Sequence, residues 1–322
     1  MKAAVLHKIG DIPQYEDFAD PSLGKDDILI HVKAVPLENV DRMIAKGEHF
    51  ASRQFLSELP AIAGLRGVGE RSDGKLVGFS SAKAPYGAMA EKTVVPKEST
   101  ILIPDGINAE TAAALPSSAL TSLLPLKWGV NMEPGKTVLI NGATGVSGKL
   151  AVQIAKLLGA GHVIGTGRNE ESLKRIKELG ADTVLDLKQS KEDLNTSFKK
   201  VINEGVDIIL DFLWGDPTEA LIEALVPQEI SLNGQRTQLV QIGEKAGSKL
   251  TLSADALRTS GLIISGGALG ITPESLSEGS NLVWNWIKED KLFMDMEIIP
   301  LQDIENVWER SDFQGKRIVI VP

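Results

Sequence analysis

At 322 residues the chain exceeds the size at which one hydrophobic core usually stops growing, so we expect two domains. The net charge of −9 argues against a broad nucleic-acid-binding or anionic-membrane surface, and no segment approaches the ~20 apolar residues that span a bilayer. The absence of cysteine excludes disulfides and thiolate metal ligands. The first residues show no signal-peptide pattern. We therefore expect a cytoplasmic protein with small-molecule partners and without nucleic-acid or membrane partners.

The first hundred residues contain short β-like segments separated by Gly, Pro and Asp. Within residues 25–35, Ile28, Ile30, Val32 and Ala34 share one face, and the residues between them take the other. This period of two is typical of a half-buried strand. We predict a compact antiparallel β region, to which further apolar segments contribute at 75–79, 88–95 and 100–103.

From about residue 112 to 258, short apolar segments alternate with helical patterns. The helical pattern at 147–159 places Leu150, Ile154, Leu157 and Leu158 on one face. Strands that alternate with helices predict parallel pairing through right-handed crossovers, and hence a doubly wound α/β sheet. The predicted strands of this sheet are 137–141, 162–167, 182–187, 206–212 and 237–243.

The last part of the chain has no regular alternation of strands and helices. Residues 261–270 are strand-like, 281–290 are helical, and KRIVIVP at 316–322 ends the chain as a strand. We interpret this segment as a return to the first domain. The first predicted domain is then discontinuous, 1–112 and 259–322, and the second predicted domain is 113–258.

A glycine-rich turn, GATGVSG, lies between the predicted strand 137–141 and the predicted helix 147–159. Small residues at this spacing permit a tight turn, let the backbone approach a pyrophosphate and let the helix pack close to the strand. The helix N-terminus then faces the anion. The alternative is a strand–helix turn that binds nothing. The predicted cofactor-binding residues of the turn are Gly142, Ala143, Thr144, Gly145, Val146, Ser147 and Gly148.

The residues after the second strand of this domain indicate which cofactor binds. An NAD site usually carries Asp or Glu about 20 residues beyond the turn, where it holds the ribose 2′-hydroxyl. Here Arg168 and Asn169 follow the strand 162–167. A guanidinium group can bind the 2′-phosphate of NADPH, which a carboxylate would repel. We therefore predict NADPH, the alternative being that Arg168 pairs with Glu170 or Glu171.

With these features together, the sequence resembles the medium-chain dehydrogenase/reductase superfamily, and most of all its quinone oxidoreductase branch. The resemblance covers nearly the whole chain. It implies a GroES-like β-barrel catalytic domain, a Rossmann domain and a cleft between them. Besides the turn, its markers are MKAAVLHKIG (1–10), AVPLENVDRMIAKG (34–47), LPAIAGLRGVGE (59–70), YGAMAEKTVVP (86–96), AAALPSSALTS (112–122) and GKRIVIVP (315–322).

The resemblance also bears on zinc. The alcohol dehydrogenases of this superfamily hold catalytic zinc with Cys, His and Cys, and those positions fall here at Glu38, Leu65 and about Pro116. Leucine and proline offer no ligand, whereas a catalytic zinc ion needs about three protein ligands. The cysteines of the structural zinc lobe are also absent, and no two of His7, His31, His49 and His162 are spaced like a metal pair. We expect no zinc.

Without zinc, the chemistry implied is hydride transfer from NADPH to a quinone or an α,β-unsaturated carbonyl compound. An enoyl-thioester reductase and a non-catalytic NADPH-sensing protein are the alternatives. The resemblance further implies a homodimer paired through 261–270, and a substrate cleft bordered by Glu38, Asn39 and Asp41. The further cofactor contacts that it implies are Thr121, Phe212, Leu213, Ile242, Gly243, Gly266, Gly267 and Ala268.

Glu38 is the catalytic candidate, and it departs from related quinone oxidoreductases, which commonly have Asn at this position. Burial could raise its pKa enough to make it a proton donor. The alternative is an ion pair with Arg42 or Arg66. We expect Asp41 to be a structural hydrogen-bond acceptor rather than an acid catalyst.

Overall fold

The computed structural model describes residues 1–80, 82–227, 236–311 and 315–322. These residues form two compact units. The first unit comprises Met1–Pro116 and Asp295–Pro322, and the second comprises Ser117–Met294. In this part of the chain, no helix is both long and apolar enough to cross a membrane.

The described strands and helices are numbered here in chain order. The strands are β1 (Lys2–Leu6), β2 (Gln14–Asp17), β3 (Asp27–Leu37), β4 (Ala61–Ile62), β5 (Arg66–Glu70), β6 (Leu76–Ser80), β7 (Lys92–Pro96), β8 (Thr100–Leu102), β9 (Thr137–Asn141), β10 (His162–Gly167), β11 (Thr183–Asp186), β12 (Ile208–Asp211), β13 (Thr237–Gln241), β14 (Leu262–Gly266), β15 (Met296–Pro300) and β16 (Arg317–Val321). The helices are α1 (Asn39–Ala45), α2 (Ser52–Phe55), α3 (Ala109–Ala114), α4 (Pro116–Leu124), α5 (Val146–Leu157), α6 (Glu170–Glu178), α7 (Lys191–Glu204), α8 (Gly215–Leu225), α9 (Ala254–Thr259), α10 (Pro273–Lys288) and α11 (Ile304–Trp308).

The first unit is built on a mixed, mainly antiparallel sheet in the order β15-β16-β3-β5-β6-β8, with β7 paired to β3. The alternation predicted for residues 25–35 is present in β3, where Ile30, Val32 and Ala34 are buried while His31 and Lys33 are exposed. One face of the sheet carries the core. The helix α3 packs against β3, β5 and β16.

The second unit contains a six-stranded parallel sheet in the order β11-β10-β9-β12-β13-β14. Counted from β9, this is the order 3-2-1-4-5-6 of dinucleotide-binding sheets. The buried strands are short apolar runs, such as β12 with all four residues buried, which is typical of a parallel sheet covered on both faces. The strand order reverses between β9 and β12, and such a switch point is where ligands bind at the carboxyl ends of the strands.

One predicted boundary is wrong. Residues 259–294 belong to the second unit rather than the first. The reason is that α9 is a short crossover helix that leads into β14, and β14 pairs in parallel with β13 from Thr237↔Leu262 to Gln241↔Gly266. The segment at 261–270 therefore supplies the sixth strand of the dinucleotide-type sheet. Only the chain from Asp295 onward returns to the first unit.

Candidate functional site

The turn after β9 contains two glycines that the fold itself requires. Gly142 has a φ of 91°, in the left-handed region, and a Cβ there would lie 2.9 Å from the Leu213 side chain. A Cβ on Gly148 would lie 2.3 Å from the carbonyl oxygen of Gly142. These glycines permit the turn and the close approach of α5 to the strand, as the sequence pattern predicts.

Gly145 is different, because the fold does not require a glycine at this position. Its φ of −77° is accessible to any residue, and a Cβ would meet nothing closer than the Gly142 oxygen at 3.8 Å. Among the described glycines, only Gly266 shares this combination of an ordinary φ and open surroundings. Both glycines lie at the carboxyl edge of the parallel sheet, and both are predicted cofactor-binding residues. Open space beside a glycine backbone fits the close approach of a ligand.

The first turn of α5 begins at Gly145 without a side-chain cap. The first N–H groups of a helix have no partner within the helix, and they carry a partial positive charge. The exposed Gly145 leaves these groups accessible. The turn can therefore accept an anion such as a pyrophosphate, which makes the cofactor predicted from the sequence chemically compatible with the residues present.

A buried polar network lies beneath the turn. The Asn141 amide donates to Asp211 Oδ1 at 3.0 Å, and the Thr166 hydroxyl donates to Asn141 Oδ1 at 2.8 Å. Thr166 also accepts the Gly142 N–H at 3.0 Å, which joins the network to the turn. On its other side, Asp211 Oδ2 accepts the Thr218 hydroxyl at 2.7 Å. The network thus connects the ends of β9, β10 and β12 with α8.

Asp211 also fixes the loop that follows β12. Its Oδ1 accepts the backbone N–H groups of Leu213 at 3.1 Å and Trp214 at 3.2 Å. Trp214 has a φ of 56°, a strained conformation for a residue with a Cβ. Burial raises the pKa of Asp211, and the hydrogen bonds that its carboxylate accepts counteract this effect.

The sequence interpretation did not identify Asn141, Thr166, Asp211 or Thr218 as part of the site. A signal was present in the first three. Each is a polar residue at or near the carboxyl end of an apolar strand, in TVLIN, HVIGTG and VDIILDF. Polar side chains at the ends of adjacent parallel strands meet at one edge of the sheet.

The loops after β12, β13 and β14 lie beside one another at this edge. A Cβ on Gly243 would lie 2.6 Å from the Phe212 carbonyl oxygen, and Leu213 packs against Gly142 as described above. The Gly267 N–H donates to the Gln241 carbonyl at 2.7 Å, and its Cα faces Ile242. The structure therefore brings together most of the predicted contacts, namely 142–148, Phe212, Leu213, Ile242, Gly243, Gly266 and Gly267.

Arg168 and Asn169 follow β10, the strand beside β9, and both are exposed. Glu170 pairs with Lys174 at 2.9 Å, and among the described residues Arg168 makes no ion pair. Asn169 caps α6, since its Oδ1 accepts the Ser172 N–H at 2.8 Å. The side-chain nitrogen of Asn169 remains as a hydrogen-bond donor.

Thr121 lies in α4, where its hydroxyl donates to the Ser117 carbonyl at 2.9 Å. In the described part of the chain, no hydrogen bond joins Thr121 to the glycine-rich turn.

In the first unit, the Glu38 carboxylate lies between two guanidinium groups. Glu38 Oε2 is 3.2 Å from Arg66 Nε, and Glu38 Oε1 is 3.4 Å from Arg317 Nη2. The expected ion pair with Arg66 is therefore present, and Arg317, which the sequence interpretation did not consider, adds a second. With a guanidinium group on each side, Glu38 is better placed as an ion-pair partner than as a proton donor. Asn39, the first residue of α1, is exposed.

Asp41 is a buried acceptor, as expected from the sequence. Its Oδ2 accepts the Glu38 N–H at 2.8 Å, and its Oδ1 accepts the Leu65 N–H at 2.9 Å. It borders an apolar pocket whose lining includes Ile44 and Phe55. Burial and the nearby charge of Glu38 together raise the pKa of Asp41 to about 6, against the opposing effect of the two hydrogen bonds.

We expect Asp41 to make the native state less stable as the pH rises from about 4 to 7. Its pKa is raised from 3.8 to about 6 on folding, so the folded state binds this proton more tightly. The resulting stabilisation is fully present below the unfolded pKa and is lost as the pH rises through the folded value, a change of about 3 kcal/mol. The measurement is the free energy of unfolding of the wild type minus that of Asp41→Asn across this range. A difference that does not vary with pH would contradict the assignment.

The residues at the positions carried over for catalytic zinc do not fit a metal ion. Leu65 has no ligand atom, and the positive charges of Arg66 and Arg317 flank the Glu38 carboxylate. Among the described residues, no group of three or more His, Asp or Glu is placed to hold a metal ion.

Comparisons with known proteins agree with this architecture. The profile of a family described as zinc-binding dehydrogenase matches residues 147–229, a range that contains none of the three carried-over zinc positions. A probable NADPH-dependent quinone reductase of Emericella nidulans is 27% identical, and the alignment covers 96% of each chain. An NAD-dependent alcohol dehydrogenase of Sulfolobus acidocaldarius is 29% identical over 68% of this chain and 72% of its own.

The same fold is present in solved structures. The quinone oxidoreductase of Thermus thermophilus, whose structures include a complex with NADPH, superposes with a TM-score of 0.77 over 100% of both chains at 24% identity. Its fold matches both the parallel sheet and the separate mixed sheet described above. These matches support a quinone oxidoreductase-like protein of the medium-chain dehydrogenase/reductase superfamily.

Proposed function

We propose that the chain is a cytoplasmic, NADPH-dependent oxidoreductase that reduces a quinone or an α,β-unsaturated carbonyl compound without zinc. The observation that carries the proposal is the open, exposed Gly145 at the uncapped start of α5, beside the switch point of the parallel sheet. No intramolecular contact requires a glycine there, whereas a pyrophosphate against the backbone does. The names of the Emericella nidulans quinone reductase and the Thermus thermophilus quinone oxidoreductase support the same activity.

In this proposal, the backbone N–H groups of the first turn of α5, at Val146, Ser147 and Gly148, bind the pyrophosphate. The network of Asn141, Thr166 and Asp211 holds the turn in the binding conformation before the cofactor arrives, which reduces the entropy cost of binding. The Arg168 guanidinium binds the 2′-phosphate, and the Asn169 amide donates a second hydrogen bond to it.

When bound, the reduced nicotinamide supplies a hydride to the acceptor, and water supplies the proton that completes the reduction. Thr121 and the loops that contain Phe212, Ile242 and Gly266 would line the nicotinamide end of the cofactor. The acceptor would bind at Glu38, Asn39 and Asp41. Glu38 would position Arg66 rather than transfer a proton, since its carboxylate already pairs with two guanidinium groups.

We also propose a homodimer through β14. This strand is the last in its sheet, so one edge of its backbone has no partner strand within the described part of the chain. Ile263 and Leu269 are about half exposed beside that edge. Antiparallel pairing of two β14 strands would satisfy the free N–H and C=O groups and bury these side chains.

The proposed function is tested by measuring NADPH oxidation with a panel of quinones, enones and enoyl thioesters. We expect steady turnover with a small quinone or enone. Turnover with enoyl thioesters alone would identify an enoyl-thioester reductase. Tight NADPH binding without turnover of any acceptor would identify a nucleotide-binding protein that does not catalyse the reaction.

Activity should not depend on a metal, because Leu65 cannot be a ligand and two arginines flank Glu38. We expect the purified protein to contain no stoichiometric zinc, as measured by elemental analysis. Dialysis against a chelator should leave the rate of NADPH oxidation unchanged. Loss of activity on chelation, restored by added zinc, would contradict this prediction.

A further inference from the structure

The position of Arg66 is fixed by its strand and by its ion pair, but part of its guanidinium group makes no hydrogen bond to the described residues. Arg66 begins β5, where it is paired in register with Ser80, and its Nε lies against Glu38. Although this Nε is buried and close to the carboxylate, its geometry is not that of a hydrogen bond. The terminal amino groups make no hydrogen bond to any described residue, and 38% of the side chain is exposed. The free part of the guanidinium group therefore faces solvent.

The neighbouring arginines differ from Arg66 in this respect. Arg317 is buried and donates to the Leu37 carbonyl at 3.3 Å, and Arg42 donates to the Val307 carbonyl at 3.5 Å. Arg317 also forms an ion pair with Glu38, the same carboxylate that Arg66 contacts. Two guanidinium groups thus share Glu38, and Arg66 is the more accessible of the two.

A carboxylate of a bound ligand would pair with the exposed part of the Arg66 guanidinium group. Arg presents its donors in a rigid planar fork that matches the two oxygens of a carboxylate, and such bidentate pairs are among the stronger hydrogen bonds in proteins. The strand and the ion pair with Glu38 fix the base of the side chain, so less conformational entropy is lost on binding. Arg66 is therefore suited to bind an anionic group of a small molecule.

We propose that Arg66 binds a carboxylate of the acceptor, so that the preferred substrates are enones or quinones that also carry a carboxylate group. The proposal rests on the proposed function, and it adds that the preferred acceptor carries a negative charge. It makes Arg66 a specificity residue of the acceptor site. A phosphate of the cofactor is the other anion that could reach an arginine, and the test below separates the two.

The test compares trans-4-oxopent-2-enoate with its methyl ester, two acceptors that differ in the negative charge. We expect the wild type to reduce the acid with the higher kcat/KM. Arg66→Gln should lower kcat/KM for the acid by about 10- to 30-fold, mainly through KM, and for the ester by less than about threefold. Arg66→Lys, which keeps the charge without the fork, should retain part of the preference. Arg71→Gln, which removes an exposed arginine paired with Asp73, is the matched control and should change neither value.

Binding without turnover provides an independent readout. Calorimetry should show that the NADP⁺-loaded wild type binds 4-oxopentanoate more tightly than its methyl ester, and that Arg66→Gln abolishes this difference. Thermal unfolding should confirm that Arg66→Gln remains folded, since Glu38 keeps its pair with Arg317.

Three outcomes would overturn the proposal. They are an equal loss for the acid and the ester, a wild type that does not distinguish them, and a weakening of NADPH binding in Arg66→Gln. If the wild type turned over neither these two acceptors nor any quinone or enone of the panel, the proposed function would fail, and the calorimetric comparison would still decide the role of Arg66.

Discussion

Replacing Gly145 with valine is expected to abolish NADPH binding while the protein remains folded. The φ of −77° suits valine, and a Cβ at this position meets no atom closer than 3.8 Å, so the fold can accommodate the side chain. The same side chain would fill the space through which the backbone approaches the pyrophosphate. We expect the NADPH dissociation constant to rise by at least ~100-fold, as measured by calorimetry, with a nearly unchanged thermal unfolding temperature.

Two further substitutions separate a ligand effect from a folding effect. Gly148→Val places a Cβ 2.3 Å from the Gly142 carbonyl oxygen, so it should destabilise the protein itself. Gly145→Ala adds only one carbon and should give an intermediate loss of affinity. Undiminished NADPH affinity in folded Gly145→Val would show that the phosphates bind elsewhere.

The sequence predicted the features that depend on neighbouring residues. The turn at 142–148 could be identified because the strand, the glycines and the helix are consecutive in the chain. The same holds for Arg168 and Asn169, which directly follow β10. Five of the strands in the parallel sheet were predicted because each is a short apolar run followed by a helix. Local patterns of this kind need no knowledge of which distant segments meet.

β14 was assigned to the wrong domain because its pattern is not that of a buried strand. As an edge strand it exposes Ile263 and Gly266, and α9 before it has only six residues. Neither signal matches the apolar runs and longer helices of the preceding repeats. Its place in the sheet depends on pairing with β13, which composition does not reveal.

The polar clusters could not be predicted from local patterns, because their members are far apart in the chain. Asp211 meets Asn141 across 70 residues, and Arg317 meets Glu38 only because β16 pairs with β3. The partners of Glu38 expected from the sequence were Arg42, four residues further along the chain, or Arg66. Only the sheet order shows that Arg317 lies beside them.

Replacing Arg168 with alanine is expected to remove the preference for NADPH over NADH. The guanidinium group is exposed and makes no ion pair with the described residues, so the folded protein should lose little stability. A hydrogen bond to a charged group contributes roughly 1.5–3 kcal/mol, which corresponds to about a 10- to 150-fold preference. The dissociation constant for NADPH should rise by a factor in that range, whereas the constant for NADH should stay nearly the same. Titration of both cofactors into both proteins provides the measurement.

The matched control is Lys174→Ala, which removes an exposed positive charge from the helix that follows Arg168. If Arg168 acts by direct contact with the 2′-phosphate, Lys174→Ala should leave the preference intact. Raised salt should reduce the wild-type preference, because an exposed arginine–phosphate pair is screened by ions. Equal losses for NADPH and NADH in Arg168→Ala would mean that Arg168 supports the fold or the turn, since a contact with the 2′-phosphate can affect only the cofactor that carries it.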